Sequence, residues 1–394
     1  MARRIGLGLA ALAAIAFAAA LIWREPLERL YRVNTLFDED RIVANFSDMG
    51  AMFLTAPVPR SGPVHEFAAA PRPLPAQFAG PSGPLDTAEF LARTATTSLL
   101  VLRGDRVEFE SYYLGTGPED LRISWSVAKS FLATMVGVAL DEGAIRSLDD
   151  PAADYVPALK GSAYEGATLR NLLTMSSGVA FDEDYLDFWS DINKMGRELA
   201  LGGSLDAFAA GLKERAGPPG AAHRYVSIDT HVVGMVLRAA TGRSVPDYMA
   251  EKLWSKIGPE ADGYYVTDGD GAAFVLGGLN IRTRDYARFG RLILRGGDWE
   301  GARIVPAEWV AAMTAQQAPP PAEPTDRGYG FQWWLPPAAD GEVYAIGVYG
   351  QFIWVDRKAG VVIVKTSADR AFSANDDLHE DETLAFFRAV ARGG

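Results

Sequence analysis

The chain contains no cysteine, which excludes disulfide cross-links and lipid attachment through a cysteine thiol. Histidine is scarce: the four residues His65, His223, His231 and His379 show neither metal-ligand spacing nor a partner pattern. Neither His-Glu-x-x-His nor Gly-x-Ser-x-Gly occurs, so the zinc-protease and α/β-hydrolase readings drop out. Positive charge is also short. Thirty-eight basic residues against fifty acidic ones leave a net charge of −12, a balance that repels phosphate backbones, so no nucleic-acid partner is expected. No metal and no cofactor is expected either, and no internal repeat is present.

A length of 394 residues, 48% of them hydrophobic, is ample for a large buried core. Residues 5–23 form an uncharged apolar run behind Arg3 and Arg4, long enough to span a bilayer and oriented by those charges with the remainder outside the cytoplasm. The Ala16-Phe17-Ala18 tripeptide offers a cleavage site, so a removed signal segment is the alternative. Segment 1–24 is therefore expected to be a membrane anchor or signal. Segment 25–89 is expected to be a juxtamembrane arm and proline-rich linker, with eight prolines between residues 57 and 85. The catalytic domain is expected over 90–394, placed in the bacterial periplasm by an uncleaved anchor or secreted after cleavage.

Ser126 is the one serine followed three residues later by a lysine. On a helix those side chains share one side, so the Lys129 amine can reach the Ser126 hydroxyl, a weak nucleophile that needs a base. The run Ile123–Leu140 is apolar nearly all round, which predicts a buried helix with Lys129 as its one formal charge. A buried lysine must pair or shed its proton. A capping serine with a snorkelling lysine gives the same local pattern.

Strands are predicted at 97–103 and 106–113 around Gly104-Asp105, and again at 344–346, 351–356 and 361–366. Helices are predicted at 169–175, 228–240, 245–257, 283–294 and 377–391. Strands at both chain ends with helices between them predict an α+β fold: an antiparallel sheet built from the two ends, flanked by helices, with a helical subdomain carrying the Ser-x-x-Lys helix.

Ser126-Val-Ala-Lys129 on such a helix, Thr168–Gly178, Tyr225-Val-Ser-Ile-Asp229 and Gly278–Gly290 together resemble the β-lactamase-related, penicillin-recognising serine hydrolases, in the class C and esterase branch. Phe181–Tyr185 and Gly347–Gln351 are most similar to 6-aminohexanoate-dimer hydrolases, which cleave linear nylon oligomers. The resemblance implies a β-lactamase/transpeptidase-like fold and an acyl-enzyme mechanism with Ser126 as nucleophile, Tyr225 as general base and Lys129 as the cation supporting it. It implies an oxyanion hole from the backbone N–H groups of Ser126 and Gln351, and substrate contacts at Ser227, Asp182, Tyr349 and Gly350. Two positions depart from the pattern. Ser227 replaces an asparagine, and Val348 stands where a cation usually holds a substrate carboxylate. Val348 therefore points away from β-lactams and stem peptides and toward a small-molecule ester or linear amide. A D,D-peptidase, a β-lactamase and a catalytically silent peptide or cell-wall binding module are the alternatives. Asp182, Glu183 and Asp184 also read as a plain solvated loop, and Trp125, Trp189, Trp333 and Trp334 as candidate pocket walls.

Overall fold

The computed structural model describes residues 17, 23–321, 326–337, 340–374 and 378–393. In chain order the elements that build the site are α1 (Arg24–Asn34), β1 (Thr55–Val58), β2 (Thr96–Arg103), β3 (Arg106–Tyr112), α2 (Ala128–Asp141), α3 (Asp191–Leu201), α4 (Ser227–Thr241), β4 (Gly263–Val266), β5 (Leu279–Ile281), α5 (Thr283–Leu294), β6 (Glu342–Gly347), β7 (Gln351–Asp356), β8 (Val361–Ser367) and α6 (Leu378–Arg392).

The centre of the eight-stranded main sheet runs β6–β7–β8–β2–β3, each of these neighbours antiparallel. Its two halves come from opposite chain ends and meet where β8 pairs with β2, Val361 opposite Arg103. β8 is buried along its whole length and β2 along all but its last residue, as central strands covered on both faces must be. Their composition, rich in valine, leucine, isoleucine and threonine, suits that position. On one face α6 packs Phe386 and Phe387 with Phe352 and Trp354 of β7. On the other lie α5 and α2, whose Phe289 and Phe131 rings stack 3.7 Å apart. The predicted α+β architecture is the observed one.

Two predicted helices are broken. Ile123 lies not in a helix but in a short strand opposite Asn280 beside β5, and Trp125–Val127 forms a 3₁₀ turn before α2 begins. Trp125 adopts φ 42°, which stops a helix from running through it. The segment predicted as 245–257 ends as a helix at Lys252 and resumes as a 3₁₀ turn at Trp254–Lys256. Neither break is visible in hydrophobic periodicity, because both halves bury the same apolar residues.

The N-terminal arm belongs to the core. Leu36, Ile42 and Phe46 are buried, α1 packs against α3, and β1 pairs antiparallel with β4. Beyond it the proline-rich stretch is laid on the domain, with Ala68–Ala69 alongside β3. The apolar run 5–23 lies, apart from Phe17 and Trp23, outside the described residues. Among the described residues no helix is long and apolar enough to cross a membrane.

Candidate active site

Ser126 occupies the 3₁₀ turn between the short strand at Arg122–Ile123 and α2. One turn on, Lys129 is 1% exposed, and its Nζ donates to Ser126 Oγ at 2.7 Å and to the Leu276 carbonyl at 2.9 Å. The same Nζ lies 5.2 Å from the centre of the Tyr225 ring. Tyr225 ends the loop before α4, stacked on Trp334 with ring centres 5.7 Å apart, and its hydroxyl interacts with those of Ser126 and Ser227. The three residues singled out in the sequence, nearly a hundred positions apart, therefore meet at one point.

Burial sets the electrostatics. It brings the Lys129 ammonium down to about 7, against a smaller raising pull from the Glu183 carboxylate. It pushes the Tyr225 phenol above its ordinary value, with Glu183 adding to the rise and the hydrogen bonds to Ser126 and Ser227 opposing it. Neutral amine and neutral phenol are both favoured. At neutral pH Lys129 is thus poised to take a proton, whereas Tyr225 holds its own.

The turn from β6 to β7 closes the other side. Gly347 permits the approach, because a Cβ there would stand 2.6 Å from the Ser124 carbonyl oxygen and 3.0 Å from the Ser126 amide nitrogen. Tyr349 and Gly350 both have positive φ, 63° and 82°. Together with Trp125 they concentrate strained backbone around the nucleophile, as functional sites do. The Gln351 side chain holds this turn: its Nε2 donates to the Ser367 carbonyl at 2.8 Å and its Oε1 accepts from the Ser367 amide at 3.1 Å.

Of the expected substrate contacts, Ser227, Tyr349 and Gly350 line cavities at Ser126, and Asp182 does not. Asp182 is exposed and caps its own loop by accepting from the Asp184 amide at 3.0 Å. Glu183 turns inward instead. Its carboxylate accepts from the Ser227 amide at 2.9 Å, from the Ser227 hydroxyl and from the Tyr185 hydroxyl at 2.8 Å, at the N-terminal turn of α4. His231 is buried against Asp206, away from the nucleophile, at 2.7 Å.

Two cavities converge on Ser126. One, of about 280 Å³, is walled by Tyr225, Trp334, Gly350, Lys365, Asp369 and His379. The other, of about 310 Å³, is mostly apolar and includes Trp125, Phe274, Leu276, Tyr349 and, from the N-terminal arm, Leu36 and Phe37. Phe37 stacks on Tyr349 with ring centres 4.8 Å apart. Of the other tryptophans considered as walls, Trp189 is largely exposed and Trp333 fully buried. Among the described residues no group of histidine, aspartate and glutamate side chains could hold a metal.

A serine activated by a buried lysine, with a strained glycine-containing strand turn facing it, defines a serine hydrolase that works through an acyl-enzyme on ester or linear amide bonds. Residues 87–385 match the family model described as Beta-lactamase. The chain is similar to the 6-aminohexanoate-dimer hydrolase of Paenarthrobacter ureafaciens, 33% identical over 297 residues that cover 72% of this chain and 75% of that protein. In three dimensions it resembles a Bacillus anthracis structure assigned to the 6-aminohexanoate-dimer hydrolases, with TM-score 0.78, 25% identity and coverage of 91% of this chain and 95% of that one. A family VIII carboxylesterase shares the fold at TM-score 0.56 and 18% identity, over 77% of this chain and 96% of its own. The protein belongs to the beta-lactamase family.

Proposed function

We propose that Ser126 attacks the scissile carbonyl of an ester or linear amide, that neutral Lys129 takes its proton, and that Tyr225 relays a proton to the leaving oxygen or nitrogen. The observation that carries this is the 2.7 Å contact between the fully buried Lys129 amine and the Ser126 hydroxyl. The roles differ from those the resemblance implied, because burial opposes the phenolate that a tyrosine base would need. The Ser126 and Gln351 backbone N–H groups stabilise the oxyanion, and water then releases the acyl group with the proton path reversed. Glu183 orients Ser227, and through it the Tyr225 hydroxyl.

Cleavage of 6-aminohexanoate oligomers and of carboxylic esters are the two substrate readings, supported by the relatives' names and by the apolar cavity beside the nucleophile. Replacing Ser126 by alanine is expected to abolish both p-nitrophenyl ester hydrolysis and covalent labelling by a fluorophosphonate. Labelling that survives in Ser126→Ala would remove Ser126 from its role. Rapid nitrocefin hydrolysis would favour the β-lactamase alternative.

The apolar run 5–23 supports a tethered protein with its catalytic domain outside the cytoplasm. Retention in the membrane pellet after alkaline carbonate extraction is the expected result, and release to the supernatant would contradict it.

A further inference from the structure

Val348 leaves the β6–β7 turn without a cation, but one strand away the sheet supplies another. Lys365 of β8 pairs with Phe352 of β7, which sets Ser367 beneath Gly350. Lys365 is 1% exposed, and its Nζ makes one hydrogen bond among the described residues, to Ser367 Oγ at 2.7 Å. An ammonium has three donors, so two remain. Lys365 lines the 280 Å³ cavity that also reaches Ser126 and Tyr225, and its Nζ lies 5.9 and 6.0 Å from the Phe90 and Phe352 ring centres. Gly350, at φ 82°, lets the backbone lie close over this pair, since a Cβ there would stand 3.1 Å from Ser367 Cβ and 3.6 Å from Lys365 Nζ.

The carboxylates in that cavity are engaged elsewhere. Asp369 accepts from His379 Nδ1 at 2.6 Å and from the Ala371 amide at 2.9 Å. Arg93 donates to His379 Nε2 at 2.9 Å, which places the ring proton on Nδ1, toward Asp369. Glu380 accepts from the Tyr344 hydroxyl at 2.6 Å and pairs with Arg327 at 2.6 Å. Burial brings the Lys365 ammonium down to about 8, and the Asp369 charge opposes that without bonding to it. A buried ammonium with one neutral acceptor is under-satisfied, and an incoming anion would complete its shell.

We propose that Lys365 and Ser367, beneath Gly350, form a carboxylate-binding subsite, so that the preferred substrates are linear esters or amides carrying a carboxylate at the end that fills this cavity. The proposal rests on the serine hydrolase reading and replaces the cation absent at Val348 with one from the neighbouring strand.

The test compares kcat/KM of wild type and Lys365→Met on two matched pairs. Mono-p-nitrophenyl adipate against p-nitrophenyl hexanoate probes a charge on the acyl side, and 4-carboxyphenyl against phenyl butyrate probes the leaving side. Wild type is expected to favour the charged member of one pair by about tenfold or more, mainly through KM, and Lys365→Met to lose that preference. No preference in either pair, or a preference that survives in Lys365→Met, overturns the subsite. Should Lys365→Met fail to fold, inhibition of the wild type decides: adipate must compete at least tenfold better than adipamide, and equal inhibition refutes the proposal. Ser126-dependent turnover of the uncharged esters in either event keeps the hydrolase reading separate from the subsite.

Discussion

The lysine base makes a definite demand on the pH dependence of the enzyme. Burial lowers Lys129 from 10.5 to about 7, a burden on the charged form of roughly 5 kcal/mol by the free-energy equivalent of each pH unit. With that value about one-tenth of the enzyme holds the neutral amine at pH 6 and about nine-tenths at pH 8. The base works only when neutral, so kcat/KM for p-nitrophenyl butyrate is expected to rise roughly tenfold between pH 6 and pH 8, with its midpoint near 7, and then level off. Glu183 holds the Lys129 value up through its charge. Glu183→Gln removes that charge and is expected to move the midpoint toward acid, so that the variant keeps a larger share of its own plateau rate at pH 6 than wild type does. Stopped-flow or initial-rate assays under kcat/KM conditions report the free enzyme and are the appropriate measurement. A profile that is flat or falling between pH 5.5 and 8.5, or a midpoint that moves toward alkali in Glu183→Gln, would refute Lys129 as the base.

The same burial gives a stability prediction of definite sign. Between about 7 and 10.5 the unfolded chain binds a proton at Lys129 that the folded protein does not, so stability rises with pH through that window, and the penalty is fully present below it. Lys129→Met, inactive in the ester assay, is therefore expected to melt at a higher temperature than wild type, with a larger difference at pH 6 than at pH 9. An equal or lower melting temperature at both pH values would contradict it. Gly347→Ala brings a Cβ to 2.6 Å from the Ser124 carbonyl oxygen and should cost about 1–3 kcal/mol of stability in denaturant titration, with a greater proportional loss of kcat. Wild-type kcat in that variant would show that the close approach of the strand is dispensable. Phe37→Ala opens the apolar cavity at its N-terminal wall and is expected to raise KM for octanoate esters by about tenfold while changing acetate esters little. Equal effects on both chain lengths would place Phe37 outside the substrate path.

Ser126 and Lys129, in the 3₁₀ turn and the start of α2, were legible because spacing and local burial coincide there. A serine and a lysine three apart in an otherwise apolar run can be read without knowing any long-range contact. The strands and most helices were legible for the same reason, since their periodicity is local. The residues missed are those whose role depends on which way a loop turns. Asp182 and Glu183 are neighbours in an acidic segment, yet only Glu183 turns in toward Ser227. Lys365 reads as a charge near the end of a buried strand, and only the register opposite Phe352 brings it to the cavity. The N-terminal arm carried no readable function, and its packing beside Tyr349 makes it a wall of the apolar cavity.

By itself the sequence predicted the layered fold and set Ser126 and Lys129 three residues apart in an apolar segment, because those are written in end-to-end strand pattern and short-range spacing, whereas Tyr225 was pointed to only by the family resemblance. The tertiary structure alone decided that the Lys129 amine reaches the Ser126 hydroxyl at 2.7 Å, with burial bringing it down to about 7, and that a second buried lysine lines a cavity at the same serine. Both follow from desolvation and strand register, which depend on residues far apart in the chain.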